Sequence, residues 1–124
     1  MLQFGQVVTL VQERADLPSV LVADRATRAV LVVLGDRLAA DGHGRVVAHL
    51  PAPLASELPA VSEGGAFGVD EFYHRVADLA GVEPEGARSM SRTVVAVLRE
   101  RLPADTFDEI ARELPPEYDD LLAP

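Results

Sequence analysis

The 124-residue sequence contains no cysteine, lysine, asparagine or tryptophan. The absence of cysteine excludes a disulfide framework, a thiolate zinc site and a cysteine nucleophile. The absence of lysine excludes Schiff-base chemistry and a P-loop lysine, and all eleven basic residues are arginine. Aromatic residues make up only 5% of the chain, although hydrophobic residues make up 48%. The core is therefore expected to consist mainly of valine, leucine and alanine, which suits packed helices.

The net charge is −9, and it is unevenly distributed. Residues 1–62 carry five arginines and six acids, whereas residues 63–124 carry six arginines and fourteen acids. Because an acidic surface repels both phosphate backbones and anionic lipids, we expect neither nucleic acid nor a membrane as a partner. The longest apolar run, residues 29–34, is far shorter than the roughly 20 residues of a membrane-spanning helix. The N-terminus has no signal-peptide pattern, so a cytoplasmic location is expected.

The most informative feature is an internal duplication. Residues 28–51 align without a gap on residues 92–115, at an offset of 64 positions. The aligned identities are Arg28/Arg92, Val30/Val94, Val33/Val97, Leu34/Leu98, Arg37/Arg101, Leu38/Leu102, Ala40/Ala104, Asp41/Asp105, Leu50/Leu114 and Pro51/Pro115. Repetition at a fixed period indicates a copied supersecondary unit.

Apolar residues recur at helical spacing through both halves, and no alternation typical of strands is present. The pattern predicts helices ending near residue 13, over residues 20–38 and over residues 87–102. Asp41, Asp70 and Asp105 are interpreted as N-caps of three further helices. The predicted inward positions include Ala26, Val30, Val33 and Leu34; Val46, Val47 and Leu50; Phe72, Val76, Leu79 and Ala80; Met90, Val94, Val97 and Leu98; and Phe107, Ile110, Ala111, Leu114, Tyr118 and Leu121.

These elements predict an all-α protein of two tandem three-helix repeats, each with a short terminal helical turn. Repeat 1 covers residues 1–60, a glycine-rich joint covers residues 61–69, and repeat 2 covers residues 70–124. Neither copy is large enough to bury its own apolar stripes. The two are therefore expected to pack about a pseudo-twofold axis into one domain.

The RAVL-x-x-L-x-x-RL core, followed by a helix ending in Leu-Pro and repeated in about 125 residues, resembles the bacterial family catalogued as DUF2267. The resemblance covers essentially the whole chain. It implies a helical fold and no reaction, because the family is described as having no known function. The first half departs most from the pattern at residues 41–44, where each of two glycines weakens the start of the third helix by ~1 kcal/mol relative to alanine.

The histidines provide few candidates for chemistry. His43 aligns with Phe107 at an inward position, which favours a structural role, and His49 lies on a solvated face. Glu71 and His74 have the Glu-x-x-His spacing of carboxylate metal sites in helical bundles, with Asp70 and Asp78 nearby. Such sites need the motif twice, and the cluster faces away from the predicted core. A solvated face is therefore the preferred interpretation, and no metal ligand is assigned.

Four residues form a repeated Arg-x-x-x-Asp pattern: Arg37 with Asp41, and Arg101 with Asp105. Each arginine falls beside the apolar stripe of its helix, so its stem can pack while the guanidinium reaches the aspartate. We interpret both pairs as structural ties between the second and third helices of each repeat.

Arg28 and Arg92 lie opposite the apolar stripes, at equivalent points of the two repeats. Asp24 is placed to pair with Arg28 four residues later, whereas Arg92 has Arg88 at that position. The two arginines either anchor acids of the other repeat or bind an acidic partner, and they are the candidate partner-binding residues. The seven acids of residues 105–120 form either a solubilising face, a docking surface for a basic partner or a mimic of a nucleic-acid backbone.

No nucleophile elbow, dinucleotide-binding loop or Walker sequence is present, so no catalytic residue or cofactor is assigned. The first hypothesis is a non-catalytic helical module that binds another protein or a second copy of itself. The alternative is a small-ligand-binding helical domain with a pocket at the repeat interface. The third hypothesis is an enzyme that uses His74 and carboxylates with a metal.

Overall fold

The computed structural model describes residues 3–39 and 66–123, and every regular element in these two ranges is helical. The predicted all-α class is therefore confirmed. The described elements are α1 (Phe4–Arg14), α2 (Val20–Ala39), α3 (Val69–Ala80), α4 (Pro84–Arg101), α5 (Ala104–Arg112), a 3-10 turn (Pro116–Tyr118) and α6 (Asp119–Leu122). Within these ranges, no helix has both the length and the apolar character required to cross a bilayer.

Glycine and proline set the boundary between α3 and α4. Gly81 follows α3 with a φ of 71°, a left-handed conformation that favours glycine. The amide groups of Gly81 and Val82 both donate to the carbonyl oxygen of Ala77, at 2.8 and 3.0 Å. Pro84 then occupies the first turn of α4, where its missing N–H costs no helical hydrogen bond. This helix begins three residues before the predicted start at residue 87.

The prediction of Asp70 and Asp105 as N-caps is wrong. Gly68 and Pro103 occupy the cap positions of α3 and α5, and neither makes a side-chain cap bond. Both aspartates lie inside the first turn instead, where the positive end of the helix dipole favours a carboxylate without capping geometry. Glu117 provides the cap for α3 from a distant part of the chain, because its Oε1 accepts the Val69 amide at 2.8 Å.

The fourth helix is the centre of the packing. α4 contacts α1, α2, α3 and α6, and α2 also contacts α1 and α3. The core is built mainly of valine, leucine and alanine, as the composition predicts. Its largest fully buried side chains are Tyr118 and Phe72, whose ring centroids are 5.9 Å apart in an edge-to-face arrangement. Phe72 also makes an edge contact with Tyr73 at 6.0 Å.

The predicted inward stripes of α2 and α4 are confirmed at all eight positions: Ala26, Val30, Val33, Leu34, Met90, Val94, Val97 and Leu98. The stripe of α3 is wrong at Leu79, which is 47% exposed, whereas Tyr73 and Ala77 are buried. The buried face of α3 is turned towards Tyr73 and Ala77, which places Leu79 on the exposed side of the helix.

The apolar period after Asp105 correctly identifies buried residues but does not form one helix. Five of the six predicted positions are buried, and Ala111 is only partly buried; the buried ones are Phe107, Ile110, Leu114, Tyr118 and Leu121. The helix α5 nevertheless ends at Arg112, and residues 115 and 116 are prolines, which cannot continue it. A 3-10 turn and the short α6 then return the last apolar residues to α4.

Equivalent positions of the two halves share several features. Val20 and Pro84 begin α2 and α4 at positions 64 apart (84 − 20), and Ala23 and Ala87 are both 0% exposed. The tandem repeats, their boundaries and the pseudo-twofold axis remain predictions. The predicted third helix of repeat 1, with its cap, its inward positions and two histidines, lies outside the described residues; these are Asp41, His43, Val46, Val47, His49 and Leu50.

Candidate functional site

Arg28 lies on the exposed side of α2 and links it to α1. Its Nε donates to Asp24 Oδ2 at 2.9 Å, the pairing that the sequence spacing indicates. Its guanidinium also lies over the ring of Phe4, 4.6 Å from the centroid. The side chain is 46% exposed, so this pair contributes little to stability, typically ~0.3–0.5 kcal/mol.

Arg92 has different surroundings, although it is the aligned residue. It is partly buried on α4, and its Nε is buried with no hydrogen-bond partner. Among residues 3–39 and 66–123, no carboxylate forms an ion pair with it. Arg88, one turn earlier, instead pairs with Asp120, the carboxylate whose charge interacts with Arg92. Arg92 is therefore a partly buried cation whose Nε donor has no acceptor among the described residues.

A surface recess of about 320 Å³ lies beside Arg92. It is formed where the end of α1 meets α4 and the residue that follows α6. We call it the arginine recess; its lining residues are Arg14, Arg88, Ser89, Arg92, Thr93, Ala96 and Ala123. Arg14 comes from the first half of the chain and the other residues from the second, so the recess lies between the two predicted repeats.

Ion pairs with fixed geometry hold two of the three arginines. Arg14 donates from both terminal nitrogens to the carboxylate of Glu100, one of these bonds being 2.7 Å long. This hydrogen bonding raises the pKa of Arg14 and lowers that of Glu100. Arg88 donates to Asp120 through Nε and Nη2, at 2.9 and 2.7 Å. Both guanidinium groups are thus oriented beside Arg92 by two-point contacts.

Asp120 connects α6 to α3 as well as to α4. Its Oδ2 accepts a hydrogen bond from the hydroxyl of Tyr73 at 2.7 Å, in addition to the bonds from Arg88. The hydrogen bonds from Arg88, and then from Tyr73, hold the pKa of Asp120 well below its ordinary value. Burial raises the pKa of Tyr73, and its hydrogen bond to Asp120 raises it further.

The low pKa of Asp120 predicts an acid-sensitive stability. A carboxyl group with a folded-state pKa below its unfolded value of about 3.9 stabilises the protein above that pH, and the contribution is lost as the pH falls through the folded pKa. Asp120→Asn is therefore expected to lower the urea midpoint at pH 7, and to lower it by a smaller amount at pH 3, where the unfolded carboxyl is largely protonated but the folded one is still ionised. Asp119→Asn makes the same change at the neighbouring exposed residue and is expected to shift neither midpoint. Equal effects of Asp120→Asn at both pH values would contradict the assignment.

The Glu-x-x-His cluster does not form a metal site in the described part of the chain, where no group of three possible ligands is close enough to hold an ion. Glu71 forms an ion pair with Arg75 at 2.8 Å. His74 Nδ1 donates to the backbone carbonyl oxygen of Asp70 at 2.9 Å. Glu71, His74 and Asp78 are all exposed, which agrees with the solvated face that the sequence favours.

The repeated Arg-x-x-x-Asp ties differ between the halves. Arg37 is only 4% exposed; its Nε donates to the carbonyl oxygen of Phe67 at 2.9 Å, and its guanidinium lies 5.6 Å from the ring centroid of Tyr118. Its predicted partner Asp41 lies outside the described residues. Arg101 is exposed and, within residues 66–123, forms no ion pair with Asp105, so the predicted second tie is wrong.

A second surface feature is apolar. Val20, Leu21 and Val22 at the start of α2 are 54%, 82% and 36% exposed, and Leu79 near the end of α3 is 47% exposed. Arg25 connects them, because it lies one turn after Leu21 and its Nε donates to the carbonyl oxygen of Leu79 at 3.2 Å. We call Val20, Leu21, Val22 and Leu79 the α2–α3 patch.

The sequence analysis did not identify this patch, although a signal was present. Three consecutive apolar residues at a helix start point in three directions around the helix, and one packing face buries only part of such a run. The hydroxyl residues of the arginine recess, Ser89 and Thr93, were likewise missed. They carry no sequence signal, because helices commonly place serine and threonine on exposed faces.

The family model described as "Uncharacterized conserved protein (DUF2267)" matches residues 4–121, nearly the whole chain. No curated protein matches the sequence.

Proposed function

Since the chain belongs to the DUF2267 family, whose description names no activity, we propose a function from its surface: a non-catalytic helical module that binds another protein through the α2–α3 patch. The observation that carries this proposal is the exposure of Leu21, which leaves 82% of a large apolar side chain in water. These four exposed apolar side chains lie on two neighbouring helices, and exposed apolar surface is typical of protein interaction sites.

The energetic argument starts from Leu21 and Leu79. Fully burying one leucine side chain contributes roughly 1.5–3 kcal/mol, so covering both by a partner provides an apolar centre for an interface. Neither residue has a role in the core to explain its presence, because both lie outside the buried cluster. The patch is small, which favours a transient or regulated complex over a permanent one.

The charges around the patch indicate the chemistry of the partner. Arg25 lies within it, and its one hydrogen bond in the described part of the chain is to a neutral carbonyl, so its charge has no paired acid there. Arg28 follows Leu21 by seven residues and therefore lies on the same side of α2, at the rim. A partner with apolar side chains flanked by aspartate or glutamate complements this surface. Arg28 is thereby retained as a partner-binding residue, whereas Arg92 belongs to the recess.

The test is site-specific photocrosslinking in the native host. A photoreactive amino acid at position 21 is expected to crosslink a defined protein, whereas the same group at position 108, an exposed residue of α5, is expected to give none. The purified partner should then bind the wild type and lose binding to Leu21→Ser, whose thermal midpoint is unchanged because Leu21 is largely exposed. A product at twice the chain mass would identify a second copy. Undiminished binding by Leu21→Ser would refute the proposed surface.

The second candidate function, small-ligand binding between the predicted repeats, is favoured by one specific observation, the arginine recess. The recess lies on α1, α4 and the residue after α6, whereas the α2–α3 patch lies on α2 and α3. The two surfaces share no residue. The two functions therefore depend on different residues, and each is testable without the other.

A further inference from the structure

We propose that the arginine recess binds a small organic molecule through its oxyanion group, a phosphate or a carboxylate, with Arg92 as the principal contact. This site is independent of the protein-binding surface proposed above. The proposal rests on the geometry of three arginines around one cavity and on the unused donor of Arg92.

The state of Arg92 is the first argument. A buried donor without an acceptor costs the free energy of its lost hydration, about 1–3 kcal/mol and more for a charged group. Within residues 3–39 and 66–123 this cost is not relieved, because the nearby carboxylate of Asp120 already accepts bonds from Arg88 and Tyr73. An external oxyanion in the recess would lie beside the guanidinium of Arg92, where a charge-assisted hydrogen bond is stronger than a neutral one.

The local charge balance is the second argument. Three arginines line the recess, and the two acids that pair with them are Glu100 and Asp120. Arg92 is the arginine of the recess that has no hydrogen-bonded acid among the described residues, although the charges of Glu13 and Glu85 also act on Arg14 and Arg88. A cation without a paired acid attracts a small anion to this location, whereas the acidic chain, with a net charge of −9, disfavours large polyanions.

The shape of the recess is the third argument. Its volume of about 320 Å³ lies at the small end of the range for ligand sites, roughly 300–1,000 Å³. Ser89 adds an exposed hydroxyl, and Ala96 and Ala123 add small apolar surfaces. The arrangement fits an oxyanion head at the arginines with a short carbon skeleton beside the alanines. Arg14 and Arg88 need little ordering on binding, because their ion pairs already fix them.

The experiment is an NMR titration that observes backbone amides and the Nε–H groups of arginine. Inorganic phosphate and acetate are added in separate series at constant ionic strength, with chloride as the reference anion. We expect a saturable shift of the Arg92 Nε–H signal together with the amides around Ser89 and Thr93. The anion that saturates the shift at the lower concentration identifies the preferred head group. Absence of a saturable shift in both series would overturn the proposal.

Matched variants separate specific binding from general electrostatics. Arg92→Gln is expected to weaken binding at least tenfold, and Ser89→Asp, at an exposed position, is expected to abolish it by placing a negative charge at the rim. Arg101→Gln removes the same charge from an exposed position of the same helix and should leave binding unchanged. Equal weakening by Arg92→Gln and Arg101→Gln would mean that only net charge matters, and would overturn the site. Leu21→Ser should bind the anion normally, which distinguishes failure of one proposal from failure of the other.

Discussion

Replacement of Phe72 by alanine is expected to lower the free energy of unfolding by about 4 kcal/mol, within the usual range for a buried phenylalanine. Phe72 is 0% exposed and makes edge-to-face contacts with both Tyr73 and Tyr118. The substitution therefore removes the transfer free energy of the ring and two aromatic contacts, and it leaves a cavity between α3 and the turn before α6. Urea denaturation at pH 7, followed by circular dichroism, measures this loss.

Phe4→Ala provides the matched control, because it makes the same chemical change at a partly buried ring. Phe4 packs at the edge of the core, and its face is covered by the guanidinium of Arg28. We expect a loss of about 1–2 kcal/mol, since only part of its apolar surface leaves water on folding. Equal losses at the two positions would show that Phe72 is not the centre of the aromatic cluster.

The helices of this protein could be predicted well where the buried face coincides with the apolar stripe of the helix. The stripes of α2 and α4 follow the 3.6-residue period because each presents a continuous apolar face, and all eight predicted positions are buried. Backbone chemistry ends α3 at Gly81, whereas the start of α4 at Pro84 was missed by three residues. The resemblance to the DUF2267 family also implied a helical fold, and the family model matches residues 4–121, nearly the whole chain.

The errors arise where tertiary contacts replace local preference. Aspartate is a residue type that favours the N-cap position, which is why Asp70 was predicted there. The N-terminus of α3 is instead capped by Glu117, 48 residues after Val69. Leu79 has helical spacing with Phe72 and Val76, yet it is exposed because the buried face of α3 is turned towards Tyr73. No local pattern contains the positions of the neighbouring helices, so neither result was accessible from sequence spacing.

In the candidate site, too, local spacing predicted the local contacts, whereas contacts between distant parts of the chain could not be predicted. Arg28 and Arg92 were recognised because they are identical residues at aligned positions, and the local pair of Arg28 with Asp24 follows from their spacing. The arginine recess depends on contacts between residues far apart in the chain, such as Arg14 with Glu100, which are 86 positions apart. Identity within a repeat therefore located a functional candidate but could not give its surroundings.

Arg37 and Arg101 provide the sharpest test of how far aligned residues diverge. Arg37→Ala is expected to lower the free energy of unfolding by about 3 kcal/mol, because a hydrogen bond to a charged group contributes about 1.5–3 kcal/mol and the buried stem adds apolar contacts. The loss is moderated by relief of the cost of burying a cation. The carbonyl oxygen of Phe67 keeps one donor, the hydroxyl of Tyr118 at 2.9 Å, so the turn before α3 loosens without losing all its contacts.

Arg101→Ala is expected to change stability by no more than about 0.5 kcal/mol, as is usual for an exposed residue away from buried contacts. Arg37→Met separates the two contributions of Arg37, since it retains most of the apolar stem without the donors; we expect a loss of about 1–2 kcal/mol, intermediate between wild type and Arg37→Ala. Chemical denaturation of the three variants at one pH measures these differences. Equal effects of the alanine substitutions at residues 37 and 101 would mean that the buried contact with Phe67 contributes nothing, and that the two copies still use this arginine in the same way.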